Sequence, residues 1–258
     1  MFDIIKTELN RLKYKQQILN SSFYKFTHSD LIERLDPIDR NFKKILLISP
    51  IFEDRLFEIL NSKFAGCNIS IMQISEIAFT GCPAEIAINN KFDLIIFPAG
   101  LHRVKEVQFF LKRIYYLLSN SGIFIANFVG GETLNGLRKK FIELETKFLN
   151  KHFPRIIPFI DFQHMTPLLQ QAGFIENIID LAPIELEYDS PLMLIRALKN
   201  YGETNISNQH VTYSITQDMY KELSNKDPKK FIDKIDLITF ISSPSKQSIK
   251  LHKEYYAT

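Results

Sequence analysis

Lys91-Phe-Asp-Leu-Ile-Ile-Phe-Pro-Ala-Gly-Leu-His-Arg-Val104 decides the fold. Its first half is a short, near-continuous apolar run rather than an alternating one. That is the pattern of a strand buried on both faces. Asn89-Asn90 before it and Pro98-Ala-Gly100 after it form turns, so a strand is expected over 92–97. Working outward, Lys44–Ile48, Asn68–Ile74 and Ile123–Phe128 read as further strands. Between them, Arg55–Ser62 and Glu106–Ser119 have helical periodicity. The second of these places Val107, Phe110, Leu111, Ile114, Leu117 and Leu118 on one apolar face. Gly122 in Asn120-Ser-Gly122 suits the left-handed cap that ends this helix. Buried strands alternating with helices predict a mostly parallel sheet covered on both faces. Ligands of such sheets sit beyond the carboxyl ends of the strands, here just after Ile48, Ile74, Phe97 and Phe128.

The flanks are less regular. Residues 1–40 read as a basic helical extension, with Phe2, Ile5, Leu9 and Leu12 on an apolar face and Lys6, Arg11, Lys13 and Lys15 on solvated ones. Thr27-His-Ser-Asp30 is a plausible helix start, and Asp36-Pro37 a stop. Glu76–Asn90 holds Gly81-Cys-Pro83 and a short helix. Helices are expected over 133–147, from Asp161 or Thr166 to Ala172-Gly173, over 190–200 and over 213–223. Strands are expected over 175–181, 184–188 and 236–242. The main domain then spans 41–245, followed by a polar tail at 246–258.

With 258 residues, 45% of them hydrophobic, the chain can bury a substantial core. A net charge of +3 implies no strong nucleic-acid field, so no DNA or RNA partner is expected. No apolar run approaches the ~20 residues that span a bilayer. Met-Phe-Asp-Ile-Ile-Lys at the start lacks the order of a secretory signal, so the chain is read as cytoplasmic. Cys67 and Cys82 read as reduced thiols, and their spacing makes no zinc knuckle. Asp161 and His164 lack a visible third metal ligand, so no metal is expected.

Four stretches carry a resemblance: Phe92-Asp-Leu94 through Leu101-His102, Leu117–Gly122, Gly130-Gly-Glu-Thr-Leu-Asn-Gly-Leu-Arg138, and Tyr188-Asp-Ser190 through Tyr201-Gly-Glu-Thr-Asn205. Through them the chain resembles class I S-adenosylmethionine-dependent methyltransferases. The likeness is strongest to the branch of a mitochondrial respiratory complex I assembly factor and its bacterial homologues, related to the biotin-synthesis malonyl-carrier methyltransferase. The resemblance implies a Rossmann-like α/β fold with a seven-stranded sheet, S-adenosylmethionine as cofactor, and methyl transfer. It also implies an alternative, a non-catalytic protein working in respiratory complex assembly through contacts with a subunit or another assembly factor. One assembly-branch relative is a hydroxylase, but no 2-His-1-carboxylate spacing for iron is visible in this chain.

Several positions depart from that family's pattern. Ser49, Ile51 and Glu53 stand where it places the glycines that let backbone approach the cofactor. Gln73 stands where an acidic residue would bond the ribose hydroxyls. With Pro98 and Ala99 these are the positions of the family pocket. An unpaired carboxylate there, Glu53, would cost several kcal/mol to bury, which argues against ordinary cofactor binding. Arg103 replaces a Trp after His102, and Glu132 replaces an Asp. No catalytic residue is identified, and the candidates are His102 and Arg138; His102 is a packing residue or a substrate-facing base. Gly131, Glu132 and Arg138 are candidates to meet a substrate or partner, although Arg138 is equally read as an ion-pair partner of Glu132 or Glu145.

Overall fold

The computed structural model describes residues 9, 11–49, 54–73, 91–203, 214–226, 229–246 and 248–249. Among them the expected strands line up in one six-stranded sheet. The strands are β1 (Lys44–Ser49), β2 (Asn68–Gln73), β3 (Phe92–Phe97), β4 (Leu118–Gly130), β5 (Glu176–Tyr188) and β6 (Phe231–Ser243). Their order is β2-β1-β3-β4-β6-β5. The β2, β1, β3 and β4 neighbours pair in parallel, and β6 runs antiparallel between β4 and β5. Among the described residues six strands stand where seven were expected. Glu76–Asn90, with the short helix expected there, lies outside the described residues.

The helices are α1 (Lys15–Asn20), α2 (Ser22–Leu35), α3 (Asp54–Lys63), α4 (Val107–Leu117), α5 (Asn135–Leu149), α6 (Phe162–Ala172), α7 (Pro191–Asn200) and α8 (Gln217–Ser224). Strand alternation divides the core in two. Leu46, Ile48, Ile95, Phe97, Phe124 and Phe240 face α4 and α6. Ile45, Leu47, Leu94, Ile96, Ile123 and Ile125 face α2 and α3. A third cluster joins α5, α7 and α8 through Leu137, Phe141, Leu192 and Met219. Fully burying one such aliphatic or aromatic side chain contributes about 1.5–3 kcal/mol.

Several boundaries differ from the expectation. Helix α2 is capped at Ser21, whose hydroxyl accepts from Tyr24 N–H, and does not start at Thr27–Asp30. Gly122 is not a left-handed cap. Strand β4 begins at Leu118, and a Cβ on Gly122 would lie 2.8 Å from Leu118 Cδ2 and 2.9 Å from the Phe92 carbonyl, so the glycine serves close approach. Glu176–Tyr188 form one strand, where two were expected over 175–181 and 184–188. Pro183 falls inside it, and β5 is a sheet edge, where a missing N–H is tolerated. Helix α5 starts at Asn135 instead of Thr133, because the Thr133 hydroxyl bonds back to the Gly130 carbonyl at 2.6 Å.

The N-terminal helix is inverted relative to its expected face. Arg11 is buried, with 2% exposure, while Leu9 and Leu12 are 61% and 57% exposed. Phe2, Ile5 and Lys6 lie outside the described residues. The sequence pattern misleads because what Arg11 meets is polar, a cluster at the carboxyl edge of the sheet.

Candidate functional site

The carboxyl ends of β1 and β3 lie side by side in the parallel half of the sheet. Past the end of β3 the backbone turns sharply. Ala99 has φ +42°, uncommon for a residue with a side chain, and such conformations cost about 1–3 kcal/mol unless the surroundings hold them. Two bonds hold this one. The Ala99 N–H donates to Asn127 Oδ1 at 2.9 Å, and its carbonyl accepts from Arg11 Nη2 at 3.2 Å. Gly100 follows because a Cβ there would sit 2.2 Å from the Phe97 ring.

Asn127 lies near the carboxyl end of β4 and is fully buried. Its Nδ2 donates to the Thr27 carbonyl at 2.7 Å and to Asp30 Oδ2 at 3.2 Å. Asp30 Oδ2 also accepts from Thr239 Oγ1 of β6 at 2.7 Å. One amide therefore ties the Ala99 turn, β4 and α2 together. It was legible only as a lone polar residue inside the apolar run Ile123–Val129.

After the turn, Leu101–Arg103 make one turn of 3-10 helix. His102 is buried, and its Nδ1 accepts from Val129 N–H at 3.4 Å. Val129 lies past the last β3 partner, Ala126, so His102 satisfies backbone that β3 no longer reaches. With Nδ1 accepting, the neutral ring carries its proton on Nε2, directed at Glu203 Oε2 at 3.5 Å. Arg103 Nε, 3.3 Å from the same Nε2, is then in contact without a true hydrogen bond. Burial lowers the His102 pKa, Glu203 pulls it up, and Arg103 and Arg11 push it down again. The ring is neutral at pH 7.

Arg103 ion-pairs with Glu203 and donates Nη2 to the Gly202 carbonyl at 3.4 Å. Arg11 Nη2 lies 3.5 Å from the same Glu203 carboxylate. Burial opposes the Glu203 charge, but Arg103, His102 and Arg11 outweigh it and hold this carboxyl well below the usual range. Burial and then Arg103 bring the Arg11 guanidinium down to about 10, still charged at neutral pH. Arg11, Glu203 and Asn127 were not among the residues expected at the site. Arg103 was visible only as a departure from the family pattern.

Of the expected pocket residues, Ser49, Pro98 and Ala99 are all buried at this edge. Ile51 and Glu53 lie outside the described residues. Gln73 is described by its backbone alone, opposite Ser49 in the β1–β2 register. Gly131, Glu132 and Arg138 belong to a second polar group, built on β6. Gly131 has φ +53°, and a Cβ there would lie 3.0 Å from Asp236 Oδ2. That oxygen accepts from Glu132 N–H at 2.9 Å. Asp233 accepts from the Gly136 and Leu137 N–H groups that open α5, at 3.1 and 2.7 Å. Glu132 is exposed and accepts from Asn135. Arg138 is half-buried, with Nη2 on the Ile157 carbonyl at 3.4 Å. The expected ion pairs of Arg138 do not form among the described residues, because Glu145 pairs with Arg155 at 2.5 Å. Asp161 caps α6, accepting from His164 N–H at 3.0 Å and lying 2.8 Å from its ring Nδ1. Among the described residues no group of three or more His, Cys, Asp or Glu is placed to hold a metal, and no helix is long and apolar enough to cross a membrane.

His28, on α2 beside this network, gives a pH prediction. Burial, and then the charge of Arg55, push its pKa down to about 3 from an ordinary 6.5. The unfolded chain therefore takes up this proton before the folded chain does. Stability is fully present above pH ~6.5 and is lost as pH falls toward about 3, with a slope of at most ~1.4 kcal/mol per pH unit. His102, also lowered, acts with the same sign. Glu203 adds its loss only below pH ~4.3. Urea unfolding of His28→Gln between pH 7 and 4.5 should show a shallower acid decline than wild type. Parallel curves would contradict the assignment.

No family model matches the chain. A Rickettsia prowazekii protein named "Putative methyltransferase RP459" is 44% identical over 162 residues, covering 63% of this chain and 71% of that relative. The mouse protein "Arginine-hydroxylase NDUFAF5, mitochondrial" is 34% identical over 118 residues, 46% of this chain and 34% of its own length. A Saccharophagus degradans protein, "Biotin biosynthesis bifunctional protein BioHC", is 26% identical over 133 residues, 50% of this chain and 24% of that one. Among solved structures, an Archaeoglobus fulgidus SAM-dependent methyltransferase aligns with 90% of this chain and 99% of its own, at TM-score 0.47 and 12% identity. The sheet order, the resembling blocks and the Rickettsia relative converge: the chain belongs to the class I S-adenosylmethionine-dependent methyltransferase-like family, in the part of it that includes the mitochondrial arginine hydroxylase and the biotin-synthesis protein.

Proposed function

We propose that this chain keeps the family's fold but has given up ordinary S-adenosylmethionine-dependent methyl transfer, and that it works through contact with a protein, in the assembly of a respiratory complex. The observation that carries this reading is Arg11, buried against the Ala99 carbonyl at the end of β3. S-adenosylmethionine brings a sulfonium cation, an ammonium group and a carboxylate. At this edge the two guanidinium groups of the described residues match the carboxylate alone, and the Ala99 carbonyl is already engaged by Arg11, so the two cationic groups are poorly matched. The sequence adds support, since Ser49, Ile51 and Glu53 stand at the glycine positions and Gln73 at the acidic one. The exposed Glu132, beside Gly131, and the half-buried Arg138 are the proposed partner-facing group. A relative is named an arginine hydroxylase, so an activity other than methyl transfer occurs among the proteins this chain resembles.

Cofactor titration tests the proposal. Millimolar S-adenosylmethionine should give neither calorimetric heat nor thermal stabilisation. A functional site at 100 times its Kd would add about 2.7 kcal/mol. Saturable binding together with methyl transfer to any acceptor would overturn the reading in favour of an active methyltransferase. The kept Gly130–Arg138 block and its capping by β6 are what favour that second reading.

A further inference from the structure

Asn135 and Gly136 are the first two residues of α5, after Leu134 at φ +56°. An asparagine followed by glycine is the dipeptide most prone to lose its side-chain amide. Glycine carries no Cβ to shield its nitrogen, and its backbone freedom lets that nitrogen reach the neighbouring Asn Cγ. In α5 the same nitrogen is held elsewhere. The Gly136 N–H donates to Asp233 Oδ1 at 3.1 Å, and the Leu137 N–H donates to Asp233 Oδ2 at 2.7 Å. Asp233 is itself fixed, being buried, with Oδ1 also accepting from Lys234 N–H at 2.9 Å. It sits so close that a Cβ on Gly136 would lie 3.1 Å from Asp233 Cγ. On the other side the Asn135 amide donates Nδ2 to Glu132. The Arg138 N–H closes the first turn on the Leu134 carbonyl at 2.9 Å. A helical backbone at Asn135 also keeps its Cγ out of line with the Gly136 nitrogen.

We propose that Asn135 is a deamidation site gated by Asp233, closed while Asp233 holds the first turn of α5 and open when that turn lets go. In the open state the Gly136 nitrogen loses its proton to solvent and attacks Asn135 Cγ. The N–Cγ bond forms, the Cγ–Nδ2 bond breaks, and Nδ2 leaves as ammonia after taking a proton back from solvent. Water then adds to one of the two carbonyls of the resulting succinimide, leaving aspartate or isoaspartate at position 135. Isoaspartate carries the chain through its side chain and lengthens it by one methylene. The Gly136 and Leu137 N–H groups then no longer meet Asp233 together, and a new carboxylate stands beside Glu132. The change is irreversible, so it records how often this end of α5 has opened. The proposal goes beyond the reading above and does not depend on it, and its readout is chemical, so its outcome is separate from the cofactor titration.

The experiment ages the full chain in mildly alkaline buffer, folded and in denaturing urea, and follows the amide-to-acid mass change of the peptide that contains Asn135. The unfolded chain should deamidate there, and Gly136→Ala should slow that reaction about tenfold or more, because a Cβ then shields the attacking nitrogen. The folded wild type should react at least about tenfold more slowly than the unfolded chain, since only the opened fraction reacts. Asp233→Asn, which keeps an acceptor but loses its charge, should raise the folded rate about tenfold, the scale of one charge-assisted hydrogen bond. If Asp233→Asn fails to fold, wild type alone decides. Its folded-to-unfolded rate ratio should then match the protection of the Gly136 N–H against hydrogen exchange, because both need the same opening. No deamidation at Asn135 in urea would overturn the site. A folded rate equal to the unfolded one, a folded rate unchanged in Asp233→Asn, or a ratio unrelated to the Gly136 protection would overturn the gating.

Discussion

Replacing Asn127 by Leu is expected to destabilise the protein by about 2–6 kcal/mol, because the buried Ala99 N–H is left unsatisfied, at about 1–3 kcal/mol, and two further hydrogen bonds are lost, at about 0.5–1.5 kcal/mol each. Those two run from Asn127 Nδ2 to the Thr27 carbonyl and to Asp30 Oδ2, which keeps Thr239 Oγ1 as a partner. Leu conserves size, so a cavity is not the cause. A whole domain is stable by only about 5–15 kcal/mol, so the variant should be near the edge of folding. Asn127→Asp separates the contributions. It keeps an acceptor for Ala99 but sets a carboxylate against Asp30, and Asp30→Asn in the same chain should recover part of the loss. Urea unfolding of the four proteins measures this. A cost under about 1 kcal/mol for Asn127→Leu would mean that the network does not hold the Ala99 turn.

The second large effect is expected at Glu145. Its carboxylate is fully buried and accepts from Arg155 Nε at 2.5 Å and from Phe153 N–H at 2.9 Å. Glu145→Leu should cost about 3–5 kcal/mol, since it takes the carboxylate away from a largely buried guanidinium and from the Phe153 N–H. The pair itself is not expected to be a net gain over hydrophobic packing. Glu145→Leu combined with Arg155→Met should therefore recover most of the loss or exceed wild type. A double variant as unstable as the single one would show that Arg155 is needed for other reasons, such as its position over the Phe141 ring at 5.1 Å.

Both residues show where sequence reasoning runs out. Glu145 falls on a helix whose apolar positions, Leu137, Phe141 and Leu144, were legible from spacing. Its own burial depends on Arg155 in the following irregular segment. Asp233 and Asp236 look like ordinary acids beside a strand. Their role as acceptors for the N–H groups of α5 and of the Gly131–Glu132 turn exists only because β6 inserts between β4 and β5.

The sequence by itself determined the layers of this protein. Apolar runs such as Phe92–Phe97 and Lys44–Ser49 can only be strands covered on both faces, and the helical stripes between them supply the covers. That information is local, because burial periodicity repeats every two or 3.6 residues. The tertiary structure alone decided the polar chemistry. Arg11, read locally as a solvated lysine-like charge on a helix, is drawn inside by a carbonyl 88 residues away, and the leucines beside it are turned out. A charge becomes buried only where a distant partner compensates its lost hydration. No window of sequence contains both members of the Arg11–Ala99, Arg103–Glu203 or Asn127–Asp30 contacts.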